Sequence, residues 1–382
     1  MKKVLLLVHD LNIGGVATSL INVTRLLVNN DCEVTVKTTS REYKQVVLNR
    51  IDKRVKVIIA DEKRYPLFER LPYFRNFYES GMWTRRKKAR DVYNHFINKK
   101  ERNYYDVEIA FYYGRPVKAI SGSSNSQSKK IMWLRLGFLD DGNFAGFKTK
   151  EEAISAFNLF DKIIGVSEDV CDDFIHHTGI DSGKVVAIHN YLDKDNIDNC
   201  LKEPCELKKN CFTISCVCRL EPIKNLFALL SVINRLQKEG FDCGCWFIGD
   251  GSERSKMETF IKEQGLKNVV ITGYTKNPHK YVKSSDLYVF PSLMEGYPNT
   301  IADSIYIGTP IVSSKCIGAS NILRNGKYGL LTGFDEQSIY DAVKLMITNK
   351  EVYNHYKNII SELDFEAEKT VISKQLIGAL LS

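Results

Sequence analysis

Between Phe290 and Ser314 the chain reads FPSLMEGYPNTIADSIYIGTPIVSS, an apolar run that breaks at Pro291 and presents Glu295 and Gly296 before a helical pattern. Pro298 suits the first turn of that helix, because its ring already holds φ at a helical value. A helix starting there points its free backbone N–H groups and its positive dipole end outward, and a diphosphate is what such an end binds. Glu295 precedes the helix and Asp303 lies about one turn inside it, so the two carboxylates can face one ligand from different heights. As an isolated pair they also fit a solvated loop acid and a helix-surface acid. The segment CRLEPIKN supplies the opposite charge. Its Arg219 and Lys224, just past a strand, can neutralise a departing diphosphate, the arginine as a planar fork and the lysine as a point charge. Near the start, HDLNIGGVATS sets Gly14 and Gly15 in a turn where backbone can approach a phosphate or sugar closely. Taken singly, a basic loop and a glycine pair also suit plain solvated turns.

These residues need elements to hold them, and hydrophobic periodicity gives two series of strand and helix. The first predicts strands at Val4 to Val8, Glu33 to Lys37, Val55 to Ile59, Val107 to Phe111, Ile131 to Leu134 and Ile163 to Val166. Helices are expected between them, among them Val16 to Asn29 and Glu151 to Phe160. The second predicts strands at Phe212 to Cys218, Cys243 to Ile248, Val269 to Thr272, Leu287 to Pro291 and Ile311 to Ser314, with a helix over Leu226 to Leu236. Such alternation implies parallel sheets covered on both faces. The expected fold is α/β, with two Rossmann-like domains facing across a cleft at the carboxyl ends of their strands. Residues 1–192 form the N-terminal acceptor domain, 193–210 the connection, 211–360 the nucleotide-sugar domain, and 361–382 a C-terminal helical segment that packs back on the first domain.

A length of 382 residues suits two domains, and 44% hydrophobic with 26% charged residues suits an ordinary globular protein. The opening MKKVLLLVHD has five apolar residues before His9, too short a run for a signal peptide or a membrane span, so a first strand is expected there. Ten cysteines without a secretory signal point to a reducing, cytoplasmic compartment in which disulfides are not expected. From Lys63 to Arg102 twelve Lys or Arg stand against four Asp or Glu, so this stretch alone accounts for the net +8. Within it Tyr65 to Arg90 interleaves aromatic residues, Trp83 among them, with the basic cluster Arg85, Arg86, Lys87, Lys88 and Arg90. That pattern fits docking on an anionic membrane surface, and it also fits aromatics packed into the first domain beneath solvated charges. Nucleic acid is disfavoured, because no recognised binding module accompanies the patch.

In this order the three segments resemble the retaining GT-B glycosyltransferases, a family that includes many bacterial polysaccharide and cell-wall glycan enzymes. IGDGSER, GYTKNPHKYVKSSDLYVFPSLMEGYPN and RNGKYGLLT are similar to family segments as well. The resemblance implies that Glu295, with backbone N–H groups of Gly296, Tyr297, Pro298's neighbour Asn299 and the following Thr300 turn, binds the donor sugar. It further implies that Arg219 and Lys224 hold the diphosphate, that Gly14 and Gly15 close over it, and that Asp303 meets the ribose. Three positions depart from the family pattern. Asp303 is one methylene shorter than the usual glutamate, Arg135 in KIMWLRLGFL replaces a histidine on the acceptor side, and Cys218 replaces a glycine before the arginine. Arg135 is read either as a structural ion pair or as an acceptor or phosphate contact.

The expected activity is transfer of a hexosyl or N-acetylhexosaminyl unit from a nucleotide-diphosphate sugar, preferably a UDP-sugar, to a glycan or lipid-linked acceptor. No cofactor and no metal are called for by the resemblance. Two rivals share the fold: a donor-binding subunit that regulates a partner transferase, and a nucleotide-sugar epimerase. The Cys216/Cys218 and Cys243/Cys245 pairs are read as core thiols on one face of each strand, because structural zinc favours spacers of two to four residues.

Overall fold

The computed structural model describes residues 1–60, 88–137, 144 and 146–381. The chain divides into two compact units, Met1–Tyr191 with Lys369–Ser382, and Leu192–Glu368.

The first unit is built on seven parallel strands, β1 (Lys3–Val8), β2 (Glu33–Thr38), β3 (Lys56–Ile58), β4 (Val107–Ala110), β5 (Lys129–Leu134), β6 (Lys162–Gly165) and β7 (Val185–Ala187). Their spatial order is β3-β2-β1-β4-β5-β6-β7. Val4 to Leu7 and Ile131 to Leu134 are buried without alternation, as strands covered on both faces require. The long helix Gly15–Asn29 leaves β1 and buries Leu20, Val23 and Leu27 on one stripe. Helix Ala89–Phe96 is fixed to β4 by Tyr93, whose hydroxyl donates to the buried Glu108 carboxylate at 2.8 Å. The C-terminal helix Phe365–Leu381 enters this unit from Lys369 onward, where Leu376 and Leu380 are buried and Lys129 Nζ donates to the Ala379 carbonyl at 2.9 Å.

The second unit carries six parallel strands, β8 (Phe212–Val217), β9 (Cys243–Ile248), β10 (Val269–Gly273), β11 (Leu287–Phe290), β12 (Ile311–Ser314) and β13 (Leu330–Thr332), ordered β10-β9-β8-β11-β12-β13. Helix Leu226–Lys238 covers one face through Leu229, Leu230, Val232, Ile233 and Leu236, and Cys216, Cys243 and Cys245 pack in the same core. Part of the stretch expected as a connection is folded here: Lys194–Cys200 is a helix with Ile197 buried. In each sheet the chain order reverses next to the first strand of the unit, between β1 and β4 and between β8 and β11. Ligands of open α/β sheets bind outside the carboxyl ends of strands at such a reversal.

Candidate active site

At the β8/β11 reversal two loops are stitched into one surface. The backbone N–H of Leu293 donates to the Ile223 carbonyl at 2.9 Å, and Ser292 Oγ reaches the same carbonyl at 3.3 Å. This brings together the expected charges: Lys224 Nζ bonds Glu295 Oε1, an oxygen that Ser292 Oγ also approaches at 3.4 Å. The two side chains retain only 13% and 18% of their exposure, so water screens the pair less than a surface salt bridge. Arg219 is exposed on the same loop, and among the described residues its guanidinium has no partner. A fixed carboxylate and a paired ammonium thus meet across the two loops, and the loop of Lys224 also carries an exposed guanidinium, a set that can hold sugar hydroxyls and a diphosphate.

Backbone contacts explain why these loops stand where they do. Gly249, at φ +149°, lies so close to the β8 turn that a Cβ would sit 1.9 Å from the Cys218 carbonyl oxygen, and at Gly251 one would sit 2.4 Å from that of Leu220. Leu220 N–H donates to Asp250 O at 3.0 Å and Glu253 N–H to Leu220 O at 2.9 Å, which completes the clamp on the Arg219 turn. Cys218 itself has no left-handed φ, so its side chain is accommodated where relatives were expected to need glycine. The β11 loop has its own support: a Cβ on Gly318, at φ +81°, would meet the Gly296 carbonyl oxygen at 2.2 Å. Sequence reasoning missed Gly249, Gly251 and Gly318 as supports of the site. The only signal was IGDGSER, read above as a family segment.

Helix Asn299–Ile307 follows the loop with no acidic residue in its first turn and no side-chain cap. Pro298 stands one place earlier than expected, at the N-cap with φ −75°. Thr300 Oγ1 accepts from Tyr288 Oη at 2.7 Å, tying the first turn to β11. Asp303 takes a partner that the sequence did not suggest, His279 Nε2 at 3.3 Å. Burial alone would lower the His279 pKa, but the Asp303 carboxylate and Cys200 outweigh it and raise the pKa to about 9.

The first unit holds the remaining candidates. Gly14 precedes helix Gly15–Asn29 with open space where its Cβ would be, and no acid occupies the first turn of that helix. Arg135, 6% exposed, follows β5 and makes no ion pair among the described residues. Instead its Nη1 donates to Ser19 Oγ and to Asn190 Oδ1, both at 2.7 Å, and its plane lies over the rings of Phe111 and Trp133. The ion-pair alternative for Arg135 is thereby corrected: the neighbours are neutral. Of the basic cluster, Trp83, Arg85, Arg86 and Lys87 lie outside the described residues, while Lys88 and Arg90 are exposed at the start of helix Ala89–Phe96. Among the described residues no helix is long and apolar enough to cross a membrane.

Residues 211–349 match the family described as glycosyl transferases group 1. Over 289 residues the chain is 27% identical to N-acetylgalactosamine-N,N'-diacetylbacillosaminyl-diphospho-undecaprenol 4-alpha-N-acetylgalactosaminyltransferase of Campylobacter jejuni, with 75% of each chain covered. It is 26% identical over 232 residues to a glycosyltransferase of Methanocaldococcus jannaschii, covering 51% of this chain and 57% of that one. Among solved structures, Anabaena HepE in complex with UDP and glucose superposes with a TM-score of 0.73 at 17% identity, covering 98% of this chain and 99% of that one. The two parallel α/β units and these likenesses lead to one conclusion: the chain has the GT-B fold and carries a group 1 glycosyltransferase domain over residues 211–349.

Proposed function

We propose that the protein transfers a hexosyl or N-acetylhexosaminyl unit from a UDP-sugar to a hydroxyl of a lipid-linked glycan, with retention at the anomeric carbon. The observation that carries this reading is the Lys224–Glu295 pair, with Arg219 exposed on the loop of Lys224, at the strand reversal of the second unit. Glu295 takes donor-sugar hydroxyls together with backbone N–H groups from Gly296 onward. Arg219 and Lys224 neutralise the diphosphate as the bond to the anomeric carbon breaks, and a departing phosphate oxygen accepts the proton of the attacking hydroxyl. Asp303, held by His279 through Oδ2, offers its other oxygen to the ribose. Gly14 and Gly15 serve the close approach of substrate to the first unit, and Arg135 serves the acceptor. With two fixed cations in the site, the reaction is proposed to run without a divalent metal ion.

Support for the donor comes from HepE, which is described with UDP and glucose, and for the acceptor from the Campylobacter enzyme, whose name specifies a diphospho-undecaprenol-linked substrate. The basic stretch around Lys88 and Arg90 is proposed to rest on the anionic membrane surface that presents such lipids. Binding to anionic vesicles that falls with salt is the expected check, and equal binding to neutral vesicles would contradict it. For the reaction, UDP release is measured from a panel of UDP-sugars with and without a diphospholipid-linked acceptor, in EDTA. Acceptor-dependent release is expected. Conversion of the UDP-sugar without acceptor would favour an epimerase, and binding without turnover would favour a regulatory subunit.

A further inference from the structure

We infer that the first unit carries an oxyanion site built on Arg135, whose ligand is a phosphoryl group of the acceptor. The inference rests on the proposed use of a diphospholipid-linked acceptor. Arg135 Nη1 is occupied by Ser19 Oγ and Asn190 Oδ1, whereas Nε and Nη2 are buried without a partner among the described residues. Those two N–H groups lie along one edge of the guanidinium, the edge that grips a phosphate or carboxylate with two parallel hydrogen bonds. Among the described residues the groups that fix the side chain are neutral: a hydroxyl, an amide oxygen, and the rings of Phe111 at 4.0 Å and Trp133 at 4.6 Å from the guanidinium carbon. A buried cation with neither counter-charge nor full hydrogen bonding is costly, and burial draws the Arg135 pKa down to about 9. A histidine at this place would shed its proton, while arginine remains charged at neutral pH.

Placement gives the second line of support. Arg135 follows β5, Phe111 follows the neighbouring β4, and Ser19 lies in the helix that leaves β1, so the guanidinium stands at the strand reversal of this unit. Helix Gly15–Asn29 starts at the same reversal with no acid in its first turn, so its dipole also favours an anion there. The donor diphosphate is already served by Arg219 and Lys224, which leaves the acceptor phosphoryl group as the charge this unit recognises.

The test uses one acceptor glycan on three aglycones: a short prenyl diphosphate, an uncharged alkyl chain, and an alkyl chain bearing a hexuronic acid. The wild-type protein is expected to prefer the diphosphate acceptor over the uncharged one by at least about tenfold in kcat/KM, and in Arg135→Gln that ratio collapses towards one. Arg135→Lys restores part of it, and the KM for the donor does not move. Equal use of charged and uncharged acceptors by the wild type, or a raised donor KM in Arg135→Gln, overturns the inference. Preference for the hexuronic acceptor overturns the phosphoryl assignment and names a carboxylate as the ligand. If the wild type uses none of the three, the proposed acceptor class fails independently, and the site is then read by thermal shift with inorganic phosphate in saturating UDP. Stabilisation of the wild type but not of Arg135→Gln supports the site, and equal response contradicts it. The ligand-free Arg135→Gln protein is expected to melt no lower than the wild type. A much lower melting temperature would show that the arginine is structural.

Discussion

Replacing Gly318 by alanine tests whether backbone packing positions the donor loop. A methyl group there would lie 2.2 Å from the Gly296 carbonyl oxygen and 2.6 Å from its carbon, so one of the two segments must yield by roughly 1 Å to restore van der Waals contact. Gly296 adjoins Glu295, and a misplacement of about 1 Å in a preorganised site costs on the order of a hundredfold in rate. Part of the effect is strain in the alanine itself at φ +81°, about 1–2 kcal/mol for a left-handed conformation. Gly308 supplies the control. Its φ is +83° in the same unit, yet nothing lies within 4 Å of its Cβ direction. Gly308→Ala should therefore show the strain alone, lowering Tm by about 2–8 °C for a unit of this size while preserving kcat/KM at low temperature. Gly318→Ala should add a loss of about a hundredfold in kcat/KM, read from acceptor-dependent UDP release. Wild-type turnover in Gly318→Ala, or an equal loss in Gly308→Ala, would refute the proposed support of the loop.

The other expectations concern charge. Lys224→Ala removes both a cation at the diphosphate and the partner of Glu295, so UDP affinity should weaken and kcat should fall about a hundredfold to a thousandfold, measured by titration and steady-state kinetics. Glu295→Gln should keep most of the UDP affinity and lose turnover, and normal turnover would remove Glu295 from the sugar site. For His279 the folded pKa of about 9 exceeds the usual 6.5, so its bond to Asp303 stabilises fully below pH 6.5 and is lost as pH rises through 9. The contribution is at most about 3 kcal/mol. Thermal melts from pH 6 to pH 10 should show that loss in the wild type and its absence in Asp303→Asn; identical profiles would dismiss the pair.

The sheets were legible in the sequence because parallel strands buried on both faces appear as unbroken apolar runs, as in Val4 to Val8 and Cys243 to Ile248. β7 and β13 escaped: each is a three-residue edge strand, too short to show a period. Helix Lys194–Cys200 escaped as well, since KDNIDNC buries a single apolar residue, Ile197, and otherwise has the polarity of a linker. Residue type and order marked Lys224, Glu295 and Arg219 as candidates, and the structure shows the first two bonded. It could not give their supports, because the demand for glycine at 249 and 318 arises from segments distant in sequence, the Cys218 turn and the Gly296 loop. The same limit hid His279, whose significance depends on Asp303 lying beside it in space. Arg135 was visible as a residue out of pattern, but its unfilled Nε and Nη2 are a property of the folded chain.

The most direct measurement of the central claim is the anomeric configuration of the product formed from an α-linked UDP-sugar and a diphospholipid-linked acceptor. Proton NMR of the purified product, with coupling constants at the new anomeric centre, reads it directly. An α-linkage accompanied by stoichiometric UDP is the predicted result, since the departing diphosphate and the attacking hydroxyl share one face of the sugar. A β-linkage would contradict the account.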